Sequence, residues 1–288
     1  MLSAKKQNTM INKGLTFGFV ALFVLLGLGC EEVPPVLNPG GGGGPITGNQ
    51  QRQVLIEEFT GERCVNCPAG SEVIESLLGV HGDRLIAVSI HAGFFAVAYP
   101  ESDDELANET GSAILNLLDA PLGYPTAVVN RRHFPGEENR QVGQATWPGY
   151  IASELEAGPQ VRIGLSSTYN DASGELDIDA VLDVVEDLEY EDVRLTVYIT
   201  ENNITDPQQT PEGVDYEYKH KHVLRAAVSA VDGDALNENF TAGASINRSF
   251  SITLDPAWVP EECHIVAFVH QGGGTLDVIQ AHEISVIE

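Results

Sequence analysis

Hydrophobic residues in the first half of the chain fall into short runs that alternate between strand spacing and helix spacing. A run that opens at Val54 predicts a buried strand, which ends at Thr60 and Gly61. The next apolar positions, 73, 74, 77 and 78, have the spacing of one helix face, and Pro68 suits the first turn of that helix. Further elements are predicted, in chain order, at 84–90, 114–118, 123–130 and 150–155. This alternation predicts an α/β fold for residues 53–160.

From Val161 onward the pattern changes to strand-like runs with no convincing helix between them. The runs lie at 161–168, 176–185, 193–200, 216–230, 246–254, 263–270 and 276–287. Turn-forming clusters rich in Gly, Asn and Asp separate them. Seven such runs predict an antiparallel, immunoglobulin-like β-sandwich over residues 161–288, with a domain boundary near Gly158 and Pro159.

The first 29 residues predict an export signal rather than part of the fold. Three lysines and no acidic residue accompany an uncharged run at 14–29, which is too short and too early for a comfortable membrane span. The run ends in Gly29-Cys30, which resembles a bacterial lipoprotein cleavage site where Cys30 becomes the lipidated first residue. An ordinary signal with an incidental cysteine is the alternative. Residues 30–52, rich in Pro and Gly, predict an extended tether that follows Cys30.

The chain is strongly acidic, with a formal net charge of −27. Such a surface repels nucleic acid and anionic lipid headgroups, so no nucleic acid partner is expected. Membrane attachment is therefore predicted through the lipid on Cys30 rather than through surface charge.

Two of the four cysteines, Cys64 and Cys67, form a Cys-x-x-Cys pair directly between the first strand and the first helix. The partial positive charge of a helix start favours a thiolate over a thiol, and Arg63 is expected to help. Such a pair can cycle between dithiol and disulfide. Cys263 lies in an apolar run and is predicted to be a small core residue, with a third redox partner as the less favoured alternative.

Three features of residues 53–160 together resemble the thioredoxin fold. The Cys64–Cys67 motif opens a helix after a strand, Glu58 followed by Phe59 matches the buried acid of the thioredoxin strand, and a Gly-Tyr-Pro-Thr turn at 123–126 matches the turn that carries a cis proline. The resemblance implies that Cys64 attacks and Cys67 resolves the mixed disulfide, with Glu58 as proton acceptor. It also implies that Pro125 is cis, and that the flanking residues Tyr124 and Thr126 hold an extended substrate segment.

The order of these parts also resembles the outer membrane protein 28-related lipoprotein family, which adds a His-x-His-x-x-Arg stretch matched at 220–225. The resemblance implies a location at the outer membrane or cell surface. The leading hypothesis is thiol–disulfide exchange with envelope or extracellular protein thiols and disulfides. A non-catalytic surface binding protein with a structural Cys64–Cys67 disulfide is the alternative.

His220 and His222 raise a further possibility, because residues two apart on one strand share a face and can bind a metal together. Metal delivery through these histidines and the dithiol is therefore conceivable. Two histidines alone seldom complete a site, so a polar sheet face is the favoured interpretation, and no metal or cofactor is predicted.

Overall fold

The computed structural model describes residues 49–287. The first half contains β1 (Val54–Thr60), α1 (Cys67–His81), β2 (Leu85–His91), α2 (Glu109–Leu117), β3 (Thr126–Val129), β4 (Val142–Gly143) and α3 (Trp147–Glu154). The predicted alternation of strands and helices is therefore present. Helix α1 begins at Cys67 with Pro68 in its first turn, where the missing N–H of proline costs no hydrogen bond.

The second half consists of strands joined by turns. These are β5 (Val161–Asn170), β6 (Glu175–Val184), β7 (Val193–Glu201), β8 (Ile204–Thr205), β9 (Gln208–Thr210), β10 (Gly213–Asp215), β11 (Lys219–His220), β12 (Val223–Ala227), β13 (Asp234–Leu236), β14 (Ser245–Thr253), β15 (Cys263–Gln271) and β16 (Val278–Ser285). The single run predicted at 216–230 is wrong in one respect. It is two strands, because His222 has a φ of 54°, which an extended strand does not allow.

The main sheet is mixed and contains strands from both halves of the chain. Its order is β16-β15-β7-β12-β2-β1-β3-β4, with β13 also paired to β7. Strand β12 lies parallel to β2, with Val223 opposite Ser89, and β1 lies parallel to β2 and antiparallel to β3. The domain boundary near residue 160 stays a prediction. Hydrogen bonds of the main sheet nevertheless join strands from both sides of this boundary.

A second sheet, in the order β14-β6-β5, is antiparallel. Alternate residues of β6 are buried, so one face of this sheet is apolar. Its buried side chains, such as Ile163 and Ile178, belong to the same apolar cluster as Val197 and Ile265 of the main sheet. The protein is therefore mostly β, with two sheets in apolar contact and few helices.

Strand β1 is buried along its whole length because both faces of the main sheet are covered around it. Val54 and Ile56 pack with residues of α1 and α3, whereas Leu55 and Phe59 pack with residues of α2 and of the second half. Successive strand residues point to opposite faces, so Glu57 and Glu58 lie in different apolar layers.

The packed part of the chain begins before residue 53. Arg52, within the predicted tether, is 4% exposed and donates hydrogen bonds to Glu154 Oε2 at 2.9 Å and to the carbonyls of Val278 and Ile279. Cys30, the signal and the tether up to residue 48 lie outside the described residues. No helix within residues 49–287 is long and apolar enough to cross a bilayer.

Candidate functional site

Cys64 and Cys67 form a disulfide at the N-terminus of α1. Two backbone turns hold it there, since the Cys64 N–H donates to the Gly61 carbonyl at 3.0 Å and the Cys67 N–H donates to the Cys64 carbonyl at 3.2 Å. Cys263 is not part of a disulfide and is fully buried in the apolar cluster between the sheets. Burial raises the pKa of its thiol to about 12, as suits a small core residue.

Both sulfur-bearing residues are shielded from solvent. Cys64 is 2% exposed and Cys67 is 1% exposed. A segment of the second half lies against the disulfide loop, where the Gln208 side chain donates to the carbonyls of Gly61 at 3.3 Å and Cys64 at 3.0 Å. No sequence motif marks Gln208, because its role depends on a contact across more than a hundred residues.

Glu58 lies on the α1 side of β1 without an ionic partner. Its side chain is fully buried, Oε1 has no hydrogen-bond partner among the described residues, and Oε2 accepts a long hydrogen bond of 3.5 Å from Ser89. Burial raises the pKa of Glu58 to about 8, although the bond from Ser89 lowers it in part. Its carboxyl group therefore holds a proton at neutral pH.

Pro125 meets α1 close to the disulfide. The Tyr124–Pro125 peptide bond is cis. A Cβ built on Gly70, three residues after Cys67, would lie 2.6 Å from Glu58 Oε1 and 2.8 Å from Pro125 Cβ. The first turn of α1 therefore brings together the proline turn and the buried acid, both of which the sequence predicts near the dithiol.

The residues that flank Pro125 already have partners. The Tyr124 hydroxyl donates to the Ala92 carbonyl at 3.0 Å, and its ring meets that of Phe95 edge to face at 5.5 Å. The Thr126 hydroxyl donates to the Val142 carbonyl at 3.1 Å and is buried. Their predicted substrate contacts stay predictions, and the Thr126 backbone already lies between β1 and β4 in the sheet.

An exposed apolar loop borders the disulfide loop. The Arg63 N–H donates to the Phe95 carbonyl at 3.0 Å, and the Arg63 guanidinium donates to the Val97 carbonyl at 2.7 Å. Phe94 is 83% exposed, Val97 is 55% exposed, and Val65 between the two cysteines is 41% exposed. Arg63 ties this loop to the disulfide loop, and its expected effect on the thiolate stays a prediction.

A cavity of about 370 Å³ lies on the Cys67 side of the disulfide. Its walls include Glu58, Cys67, Ser89, His91 and His220, whereas Cys64 does not reach it. The His91 and His220 rings lie edge to face with their centroids 5.2 Å apart. Burial lowers the pKa of His91 well below its usual value and that of His220 to about 4, so both rings are neutral.

His220 and His222 do not act as a pair. His220 contacts the Asp206 carbonyl at 3.2 Å through Nε2, while His222 Nε2 lies 3.1 Å from Glu75 Oε1. The shared strand face expected of them is absent, because β11 ends at His220 and the backbone turns at His222. No group of three His, Cys, Asp or Glu residues within 49–287 is arranged to hold a metal ion.

A family model described as outer membrane protein Omp28 matches residues 120–287, which is more than half of the chain. The chain belongs to the Omp28 family. The predicted location at the outer membrane or cell surface is thereby confirmed. No curated protein matches the sequence significantly.

Solved structures resemble this Omp28-family protein to different degrees. HBP35 of Porphyromonas gingivalis is 24% identical with a TM-score of 0.66, covering 83% of this chain and 76% of its own. A protein from Agrobacterium tumefaciens is 17% identical with a TM-score of 0.49, covering 83% and 96%. A domain of the outer membrane lipoprotein Omp28 from P. gingivalis is 18% identical with a TM-score of 0.31, covering 44% and 87%. The likeness to HBP35 concerns the fold alone.

Proposed function

We propose that this Omp28-family protein exchanges disulfides with envelope or extracellular proteins through Cys64 and Cys67. One observation carries the proposal: a buried Glu58 carboxyl that holds a proton at neutral pH lies at the same turn of α1 as Pro125 and the disulfide. A structural disulfide requires no such acid, and an unpaired buried carboxyl lowers the stability of the fold. Its presence is understandable if it exchanges a proton with a cysteine.

The chemistry that this arrangement supports is a two-step thiol–disulfide exchange. In the reducing direction the Cys64 thiolate attacks one sulfur of a substrate disulfide, forms a mixed disulfide and releases the other substrate sulfur as a thiolate. The Cys67 thiolate then attacks Cys64 Sγ, which restores the Cys64–Cys67 disulfide and releases the second substrate thiol. Glu58 accepts the Cys67 proton for this second step from its deprotonated form, which a pKa of about 8 leaves as a minor fraction at neutral pH. The reverse sequence oxidises a substrate dithiol.

The surroundings of Cys64 favour a polypeptide substrate. The exposed apolar side chains of Val65, Phe94 and Val97 border the disulfide loop and suit an extended apolar segment. In our proposal the Tyr124 backbone next to the cis bond pairs with that segment, and Thr126 positions the turn through its hydrogen bond to the Val142 carbonyl. We also propose that residues 53–160 form a thioredoxin-like domain and that residues 161–288 form an immunoglobulin-like β-sandwich. They are supported by helices that cover β1 and by the two sheets in contact. Lipidation at Cys30 would keep this surface at the membrane.

The burial of Cys64 has a direct consequence for this function. Because Cys64 is only 2% exposed, a protein substrate reaches its sulfur only after the segment around Gln208 moves. The same burial favours a second candidate, in which the disulfide is a static crosslink and the protein binds partners without redox chemistry.

Insulin reduction separates the two functions. We expect the unaltered protein to accelerate insulin reduction in the presence of dithiothreitol. Cys64→Ser should abolish turnover, and Cys67→Ser should accumulate a mixed disulfide on Cys64. Absence of turnover, together with a Cys64–Cys67 reduction potential below about −300 mV, would overturn exchange and favour the static crosslink.

A further inference from the structure

The two sulfurs of the disulfide have different surroundings. Cys64 lies next to the exposed apolar loop, on the side proposed for protein substrates. Cys67 instead forms part of the wall of the 370 Å³ cavity that Cys64 does not reach. A ligand in this cavity can therefore reach the disulfide from its Cys67 end and not from Cys64.

The cavity wall carries buried polar atoms without partners. Both ring nitrogens of His91 and Oε1 of Glu58 have no hydrogen-bond partner among the described residues, and both side chains are at least nine-tenths buried. Buried polar groups are nearly always hydrogen-bonded, so unpartnered ones that line a cavity are suited to bind a polar ligand. A neutral imidazole offers one donor and one acceptor, and a protonated carboxyl adds a donor.

The size and charge of the cavity restrict that occupant. A volume of about 370 Å³ falls at the lower end of small-molecule sites and is too small for a folded protein. Charges of both signs line it, since Lys221 pairs with Glu75 at 2.5 Å, and Lys219 and Glu72 also belong to its wall. Mixed charges around a neutral polar interior suit a small zwitterion.

We propose that the cavity admits a low-molecular-weight amino-acid thiol, such as cysteine, which reduces the disulfide from its Cys67 end. This inference rests on the proposed exchange function and names the second redox partner that exchange needs. The small thiolate attacks Cys67 Sγ, the Cys64–Cys67 bond breaks, and Cys64 leaves as a thiolate. A second small thiol attacks the sulfur of the first, which releases Cys67 and a symmetrical small disulfide. Two electrons and two protons pass from two small thiols to the protein dithiol.

Filling the cavity tests this route. Ser71 lines the cavity from α1, and Ser76 lies on the exposed face of the same helix, so Ser71→Phe and Ser76→Phe are a matched pair. We expect Ser71→Phe to slow disulfide reduction by L-cysteine by at least about tenfold and Ser76→Phe to leave it within about twofold. Single-turnover oxidation of each pre-reduced variant by insulin should stay unchanged, since it uses the Cys64 side. Equal rates with L-cysteine in both variants would overturn the proposal.

Adduct mapping on the unaltered protein provides a test that needs no variant. After brief exposure to L-cysteine and rapid alkylation, peptide mass spectrometry should find cysteinylation on Cys67 and alkylation on Cys64. Cysteinylation on Cys64 instead would overturn the proposed route. If none of the three proteins reacted with insulin but Ser71→Phe still slowed reduction by L-cysteine, protein exchange would be rejected. The small-thiol site would then be retained.

Discussion

Arg131 donates two parallel hydrogen bonds to Glu57, from Nε to Oε2 at 2.8 Å and from Nη2 to Oε1 at 2.7 Å, with both side chains fully buried. The same Nη2 also donates to the Tyr198 hydroxyl at 2.8 Å. Tyr198 lies in β7, so this pair joins the first strand to the second half of the chain. Glu57 is therefore a structural anion, whereas its neighbour Glu58 on the opposite face has no cation and keeps a proton.

Breaking this pair should destabilise the protein strongly. Arg131→Met leaves the Glu57 carboxylate buried without a partner, so we expect the free energy of unfolding to fall by about 3–5 kcal/mol. The double variant Arg131→Met/Glu57→Met also lacks the unpaired charge, so its free energy of unfolding should be higher than that of Arg131→Met alone. Urea denaturation of both variants measures these changes.

A partly exposed Arg–Glu pair provides the control. Arg248 donates to Glu238 Oε1 at 2.6 Å, with side chains 28% and 39% exposed. Because water screens such a pair, Arg248→Met should cost no more than about 1 kcal/mol. An equal loss in the Arg131 and Arg248 variants would contradict the structural role given to Glu57.

Glu58 should make stability depend on pH in a specific direction. Its pKa is about 8 in the folded protein and near 4.5 when unfolded, so the folded state binds the extra proton between these values. The free energy of unfolding therefore falls as pH rises from about 4.5 to about 8, by up to about 1.4 kcal/mol per pH unit from this group. Glu58→Gln should remove that part of the slope.

The comparison with Glu58→Gln isolates one group from others that titrate in the same range. Burial and the charge of Asp206 raise the pKa of Glu62 to about 7, and Glu62 is present in both proteins. The difference between their urea-unfolding curves at several pH values therefore reports Glu58 alone. Parallel pH dependences would show that the Glu58 carboxyl is charged when folded.

The parts of the site that the sequence predicts are those that local patterns encode. Helix α1 begins at Cys67 as the spacing and Pro68 indicate, and Glu58 follows from the strand pattern together with a family resemblance. The cis bond at Pro125 came from that resemblance alone, because no local rule predicts a cis proline.

Features that depend on contacts between distant parts of the chain were not predictable. The parallel pairing of β12 with β2 joins residues more than a hundred positions apart, and neither strand carries a signal for its partner. His91 directly follows the run predicted at 84–90 and no motif marks it, yet it lines the cavity. Arg131 comes shortly after β3, where no sequence motif marks it, and only the fold brings it to Glu57. Hydrophobic periodicity predicts elements, not which of them meet.

The exposed apolar loop should contribute to protein substrate binding and not to stability. Phe94→Ser combined with Val97→Ser removes apolar area worth about 1–2 kcal/mol of binding, so KM for insulin should rise by roughly 5- to 30-fold. The free energy of unfolding should change by no more than about 0.5 kcal/mol, since both side chains are exposed. Val80→Ser, at the far end of α1 and 73% exposed, should leave KM unchanged. Equal KM values in all three proteins would remove this loop from the binding surface.

Two glycines of α1 should respond in opposite directions to the same substitution. Gly70→Ala places a Cβ within 2.6 Å of Glu58 Oε1 and 2.8 Å of Pro125 Cβ, so the acid or the proline turn must shift, and we expect a loss of about 1–3 kcal/mol in the free energy of unfolding. Gly79→Ala meets nothing within 4 Å, so it should stabilise the helix by about 0.5–1 kcal/mol. Urea denaturation of the two variants measures the contrast. Because helix propensity favours alanine over glycine at both positions, a loss at Gly70 with a gain at Gly79 reports the contact of Gly70 with Glu58 and Pro125. If Gly70→Ala were as stable as Gly79→Ala, the acid and the proline turn would not meet at the start of α1, and the proposed exchange site would lose its basis.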